Sequence, residues 1–356
     1  MKNNIYLCVT EYHVLLSILI ASETYNSDEY CNHIILCNGG RFNDMSRYNT
    51  NHTDNIEYSK VDEEDFVTSS FVNKIFSACT GELYLFNLNY KHFFYIAYKL
   101  KREKNVLTSF VQEGLASYIV QNNTLHRYLS VIRSSKKLFD KVGVNDFSFY
   151  RYCYGFRGHL GRMLLYYRDI IESTLVRHLW LTSPDGAIYG KSKVKKIPLF
   201  SEKSLGAAFK FFKYGQNHLR FKKNDILFVD QNLEGSPQFV SELSRQFPSS
   251  TIYIKLHPSA PDSLASEYQK TNNVIMINTL KGIPIDLLIQ ELKVVNVITP
   301  YSSALLIDNP SCHYYFMYPW LIENGYGSNI PAASIFNPTR FIKEINNVGE
   351  IDMFKE

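Results

Sequence analysis

Residues 225–258 read DILFVDQNLEGSPQFVSELSRQFPSSTIYIKLHP. A short apolar run, DILFVD (225–230), leads into PQFVSELSRQF (237–247), and a second run rich in β-branched residues, TIYIKL (251–256), closes the stretch. Strand, helix, strand is the unit from which parallel, doubly wound sheets are built. The rhythm continues with a helix expected over SLASEYQKT (263–271), a strand over NVIMI (273–277) and a helix over IPIDLLIQEL (283–292). VVNVIT (294–299) then reads as a strand and SALLID (303–308) as a helix. The first 120 residues carry the same alternation. Strands are expected over IYLCV (5–9), HIILC (33–37), ELYLF (82–86) and NVLTSFV (105–111). Helices are expected over HVLLSILIASE (13–23), around DFVTSSFVNKIFSA (65–78) and over HFFYIAYKLKRE (92–103). The fold class is therefore α/β, with two Rossmann-like domains whose parallel sheets face a central cleft.

Between these halves the rhythm is lost. Residues 124–180 are helical in pattern, aromatic and basic. LGRMLLYYRDIIESTLVRHLWL (160–181) reads as a buried scaffold helix, since Arg162, Arg168, Asp169, Glu172 and Arg177 exclude a membrane span. GKSKVKKIPLFSEKS (190–204) reads as a connection toward the second unit. The expected organisation is a first domain over 1–215 with a basic helical insertion at about 124–215, and a second over 216–335. A closing helix over 336–356 is expected to return to the first domain.

Composition narrows the class. The 356 residues suit two domains. No apolar run reaches the roughly 18 residues a membrane-spanning helix needs, and Thr10, Glu11 and His13 interrupt the N-terminal one. Six cysteines without a C-x-x-C pair point to a reducing cytoplasm rather than a disulfide or zinc framework. The net charge of +4 is unevenly spread: Arg127–Lys223 holds 20 Lys and Arg against 6 Asp and Glu, leaving 18 against 28 elsewhere. Such a basic middle suits an anionic surface or ligand, and equally a solvated helical face.

In doubly wound sheets ligands bind beyond the carboxyl ends of the strands, which selects a short list of residues. His257 follows a strand, with Lys255 before it and Pro258 restricting its backbone. Against a phosphate its ring would be held protonated, able to neutralise a leaving group. Ser302 and Ser303 sit where a strand becomes a helix, where a plain N-cap and a phosphate contact are both open. Glu113, beside Gly114, and Asp230 both qualify as general base. Gln231 and Asn232 can hydrogen-bond an acceptor sugar, and Thr10 and Tyr12 close the first strand on the same side. Asp286, early in its helix, can accept bonds from ribose hydroxyls or merely compensate the helix dipole.

The order of these pieces resembles the bacterial sialyltransferases, in particular the lipooligosaccharide sialyltransferase and capsular polysialyltransferase families. Those families carry an acidic-acidic-glycine motif, an H-P motif and a serine-rich motif, matched here by QEG (112–114), HP (257–258) and SS (302–303). Asp286 matches an acidic residue between the last two, and TEYH (10–13) a similar opening turn. The first motif departs from the pattern, with Gln112 in place of an acid. The resemblance implies a GT-B fold, CMP-sialic acid as donor, no metal requirement and an inverting single displacement. In it Glu113 or Asp230 deprotonates the acceptor, His257 assists the departing phosphate, and Lys255, Ser302 and Ser303 hold its oxygens. It also implies a nucleotide-sugar donor and a lipooligosaccharide or capsular glycan acceptor. The expected setting is the cytoplasm with peripheral contact at an anionic inner membrane face, and no nucleic-acid partner. A GT-B enzyme using another nucleotide sugar, and a non-catalytic polysaccharide-assembly protein, are the alternatives.

Overall fold

The computed structural model describes residues 1–37, 42, 44–52, 55–86, 92–112, 118, 140, 143, 148–149, 167–215, 220–258, 260–277, 282–307, 309–326 and 342–354. The chain divides into two compact units, Met1–Tyr214 and Gly215–Glu356.

The first unit runs β1 (Lys2–Cys8), α1 (Glu11–Thr24), β2 (Tyr30–Cys37), β3 (Ile56–Val61), α2 (Glu63–Phe66), α3 (Ser69–Ala78), β4 (Glu82–Leu85), α4 (His92–Lys104) and β5 (Leu107–Val111). It closes with α5 (Tyr167–Glu172), β6 (Val176–Leu181), β7 (Val194–Lys196) and α6 (Glu202–Phe211). The seven strands are ordered β3-β2-β1-β4-β5-β6-β7, every neighbouring pair parallel. Strands covered on both faces read as continuous apolar runs, which is why Ile5–Cys8 and Leu83–Leu85 are wholly buried. Helix α1 begins on Thr10, whose hydroxyl accepts from the His13 amide, and is buried along most of its length against β2 and α6.

The second unit repeats the plan. It comprises β8 (Ile226–Val229), α7 (Ser236–Gln246), β9 (Ile252–Lys255), α8 (Asp262–Tyr268), β10 (Val274–Met276), α9 (Ile285–Glu291) and β11 (Val295–Thr299). β12 (Cys312–Phe316), α10 (Tyr318–Glu323) and β13 (Ile342–Glu344) complete it. Its six parallel strands are ordered β10-β9-β8-β11-β12-β13. In each sheet the order reverses beside the first strand, between β1 and β4 and between β8 and β11, and such a switch point opens a crevice at the strand ends.

Several expectations are corrected. The stretch 160–181 is not one helix: α5 ends at Glu172, Ser173 and Thr174 break it, and VRHLWL forms the buried strand β6. The lysine-rich stretch 190–204 is not a connection. It supplies edge strand β7 and the cap of α6 within the first unit, with Lys193 Nζ donating to the carbonyls of Ile171 and Ser173 at 2.7 and 2.5 Å. Lys195 lies over the Trp180 ring, so part of the basic excess is spent on internal contacts. SALLID forms a four-residue 3-10 turn, Ser303–Leu306, because Ile307 already has extended dihedrals. The closing segment adds β13 to the second sheet where a helix returning to the first unit was expected. Strands β3 and β12 were not anticipated. Most of the expected helical insertion lies outside the described residues.

A buried asparagine ties the first sheet together. Asn32 accepts from Asn4 Nδ2 at 3.1 Å and Tyr6 Oη at 3.3 Å, and donates to the carbonyls of Tyr25 and Asn55 at 3.0 and 3.3 Å. Its removal leaves buried donors without acceptors, so Asn32→Ala is predicted to cost about 2–4 kcal/mol of stability in chemical denaturation. A loss below about 0.5 kcal/mol, the range of ordinary surface substitutions, would contradict that role.

Candidate functional site

The second sheet brings most of the short-listed residues to its C-terminal rim. Strand β8 ends at Val229 and delivers Asp230. Its neighbour β9, in register Val229↔Lys255, delivers Lys255 and then His257. On the other side of β8, β11 delivers Ser302, and Thr299 Oγ1 locks the two strands by donating to the Val229 carbonyl at 2.8 Å. Asp286 lies in the first turn of α9, the helix after β10. All these positions flank the switch point of one parallel sheet.

His257 is half-buried and leads a tight turn, with the Ala260 amide donating to its carbonyl at 2.9 Å. Pro258 stands second in that turn, where its fixed φ preorganises the bend. The loop is held from below by Asp230, which is fully buried. Tyr268 Oη donates to its Oδ1 at 2.8 Å and the Asn232 amide to its Oδ2 at 2.8 Å. Burial pushes the carboxyl above its ordinary pKa, while the bonds from Tyr268 and from the backbone amides of Asn232, His257 and Gln231 pull it down. Asp230 thus couples two loops, 230–232 and 256–258, through one carboxylate. Gln231 turns back to donate to the Asp230 carbonyl at 2.9 Å, and exposed Asn232 adopts a positive φ of 55°.

Lys255 and Asp286 are both buried and act on one another. Burial raises the Asp286 carboxyl to about 6, against the downward pull of its own amide and of the Lys255 charge. Ser302 is buried and caps the 3-10 turn, its Oγ accepting from the Ala304 amide at 3.2 Å. That bond uses an acceptor lone pair and leaves the hydroxyl proton to be donated elsewhere. The short turn offers little of a full helix's dipole. Ser303 opens the turn, and its side chain lies outside the description.

At the corresponding rim of the first sheet, Gln112 follows β5 and is fully buried. Its Nε2 donates to Tyr12 Oη at 2.6 Å and Thr182 Oγ1 at 2.8 Å. Its Oε1 accepts from Tyr118 Oη and the Thr182 amide, both at 2.7 Å. An amide both gives and takes hydrogen bonds, whereas a carboxylate only takes, and none of the hydrogen-bond partners described for Gln112 carries a positive charge. The departure from the acidic motif thus has a structural cause. Tyr12 is drawn into this network, and Thr10 is the cap of α1. Glu113, the next residue, lies outside the described residues.

Sequence reasoning did not single out Tyr268 or Thr299. Tyr268 sits among the polar residues of α8, where nothing in the pattern marks its hydroxyl for a partner 38 positions away. Thr299 ends an apolar strand, where nothing in the pattern marks its hydroxyl for the Val229 carbonyl 70 positions away.

Among the described residues no helix is long and apolar enough to cross a membrane. Among curated proteins, none is matched by this chain. Among solved structures, the chain is similar to an alpha/beta-galactoside alpha-2,3-sialyltransferase from the marine bacterium Photobacterium phosphoreum, at 15% identity and a TM-score of 0.53, covering 99% of this chain and 100% of that one. It is also similar to the GT-B domain of a sialyltransferase from Photobacterium damselae, at 11% identity and a TM-score of 0.52, covering 89% and 91%. These likenesses establish the GT-B fold. The family model for alpha-2,8-polysialyltransferases matches residues 4–313. The chain belongs to the alpha-2,8-polysialyltransferase family and is a glycosyltransferase of the sialyltransferase kind.

Proposed function

We propose that the protein transfers sialic acid from CMP-sialic acid to a hydroxyl of a cell-surface glycan, with inversion and without a metal ion. The observation that carries this reading is the gathering of Lys255, His257, Asp286 and Ser302 on the C-terminal rim of one parallel sheet, around its switch point. A nucleotide monophosphate is what such a rim suits. Asp286 accepts from the ribose hydroxyls, Lys255 supplies positive charge beside it, and Ser302 gives its hydroxyl proton to a phosphate oxygen. His257, held by the Pro258 turn, donates to the phosphate as the bond to the anomeric carbon breaks. Cations and donors at a departing phosphate stabilise the charge that develops there, which makes a metal unnecessary. The family description, alpha-2,8-polysialyltransferase, supports a sialylated glycan as acceptor. A lipooligosaccharide or capsular chain made in the cytoplasm, at the inner membrane face, fits the basic middle of the sequence.

The base is assigned to Glu113. Both Asp230 oxygens are engaged inside the protein, so Asp230 serves as a positioning residue for the H-P turn. Glu113 follows the saturated Gln112, which pins the chain at the end of β5. In the step, the acceptor O–H gives its proton to Glu113 and its oxygen attacks the anomeric carbon. The glycosidic bond to CMP breaks on the opposite face and its electrons pass to the phosphate.

Three outcomes are expected. With a panel of nucleotide sugars, CMP is released from CMP-sialic acid alone, at the same rate with and without chelator, and His257→Ala lowers the rate by about 10²-fold or more. Release of a different nucleotide, or of CMP unaffected by His257→Ala, would overturn the reading. Next, Glu113→Gln abolishes transfer at every pH. Asp230→Asn retains measurable turnover with a weakened donor KM, and equal loss in both would restore Asp230 as the base.

The third concerns pH. A carboxyl raised to about 6 in the fold binds its proton more tightly than in the unfolded chain. Its stabilising contribution is complete below the ordinary carboxylate range and is lost as pH rises through about 6. Asp286→Asn should therefore make the protein more stable above that pH while raising the donor KM, and the rise in wild-type KM on acidification below about 6 should vanish. A variant with unchanged KM would remove Asp286 from the nucleotide site.

A further inference from the structure

The first sheet carries a second cluster of reactive side chains, at the opposite ends of its strands from Gln112. Cys31 and His33 stand two residues apart near the start of β2 and so share one face. Glu57 stands on the edge strand β3 in direct register with His33. His33 Nδ1 lies 2.9 Å from Glu57 Oε2, and Cys31 Sγ lies 3.3 Å from His33 Nε2. One ligating atom from each of the three residues falls within 4.8 Å of the others. Cys31 is buried, whereas the side chains of His33 and Glu57 are 29% and 49% exposed, so the cluster is open to solvent on one side.

The three groups are ordered by chemistry as well as by space. A carboxylate at Nδ1 accepts a hydrogen bond from the ring N–H there, which fixes the tautomer and leaves the Nε2 lone pair facing the sulfur. Metal-binding histidines are characteristically held this way, with the far nitrogen donating to a carboxylate that fixes the ring and raises its basicity. The spacing also fits: Zn–S bonds of about 2.3 Å and Zn–N bonds of about 2.0–2.1 Å set a tetrahedral S···N edge of roughly 3.6 Å, close to the separation found here. A thiol beside an imidazole selects a thiophilic ion, whereas magnesium and calcium demand oxygen.

We infer that Cys31, His33 and Glu57 form a binding site for a thiophilic divalent cation of the Zn²⁺ class, with Cys31 Sγ and His33 Nε2 as ligands and Glu57 orienting the ring. Binding replaces the thiol proton, which passes to solvent as the sulfur–metal bond forms. Water fills the remaining positions. The ion would join two side chains of β2, with the ring of one braced by Glu57 of edge strand β3. It takes no part in sialyl transfer, which depends on the strand ends at the other side of the sheet.

The test is a Co²⁺ titration of the full-length protein after chelator treatment, followed by absorbance, with Zn²⁺ as competitor and Mg²⁺ as control. One equivalent of Co²⁺ should produce the near-ultraviolet charge-transfer band of a thiolate–cobalt bond, which Zn²⁺ removes and Mg²⁺ does not. Cys31→Ser should abolish the band, and so should His33→Gln, a half-exposed position whose variant keeps the fold. Glu57→Gln should weaken binding about 10–100-fold. Zn²⁺ should raise the Tm of the wild type and leave that of His33→Gln unchanged. No thiolate band in the wild type, or a band that survives in His33→Gln, overturns the site and leaves the trio as a hydrogen-bonded chain.

Discussion

Burying a carboxylate costs several kcal/mol unless its oxygens meet donors, and Asp230 is fully buried at the end of β8. Tyr268 from α8 and the amides of Asn232 and His257 meet that demand, so one charge fixes the positions of two loops and a helix. The turn His257–Ala260 hangs on this arrangement, and with it the only imidazole proposed to face the leaving phosphate. Parallel pairing of β8 with β9 and β11 then decides what else stands nearby. Strands that run the same way must end on the same side, and those ends carry Lys255 and Ser302. Asp286 joins them because the helix after β10 starts on that side too.

The first sheet uses a neutral device for a similar purpose. Gln112 satisfies four partners with one amide and joins the strand ends of β5 and β6 to the opening turn of α1. A charge-free amide suits a hub whose partners include both donors and acceptors. The residue that varies from the family motif thus belongs to the scaffold, and the neighbouring Glu113 keeps the acidic part.

The alternating apolar runs made the doubly wound plan legible, because strands buried on both faces leave uninterrupted stretches such as ILFV and IYIK. Two of the strands that escaped notice lack that mark. β3, IEYSKV, lies at the sheet edge and carries charges, and β7, VKK, has three residues. β6 was absorbed into a neighbouring helix, since a short apolar run has no periodicity of its own to separate it. The candidate site could be picked out where one residue type and a local motif carry it, as at His257–Pro258. It was not legible where the function of a side chain depends on a distant partner. Tyr268 holds Asp230 across 38 residues, and Gln112 meets Tyr12 across 100. Asp230 was read beside Glu113 as one of two candidate bases, and the bonds that both its oxygens accept inside the protein are not written in the sequence.

The proposed function makes the rim of the second sheet a nucleotide site for CMP. Isothermal titration of the protein with CMP, UMP, UDP and ADP tests it without requiring an acceptor. CMP should bind most tightly, and Asp286→Asn and Ser302→Ala should each weaken it about tenfold, the loss of one hydrogen bond to a charged or ribosyl group. Tighter binding of a uridine or adenosine nucleotide, or CMP affinity unchanged in both variants, would contradict it.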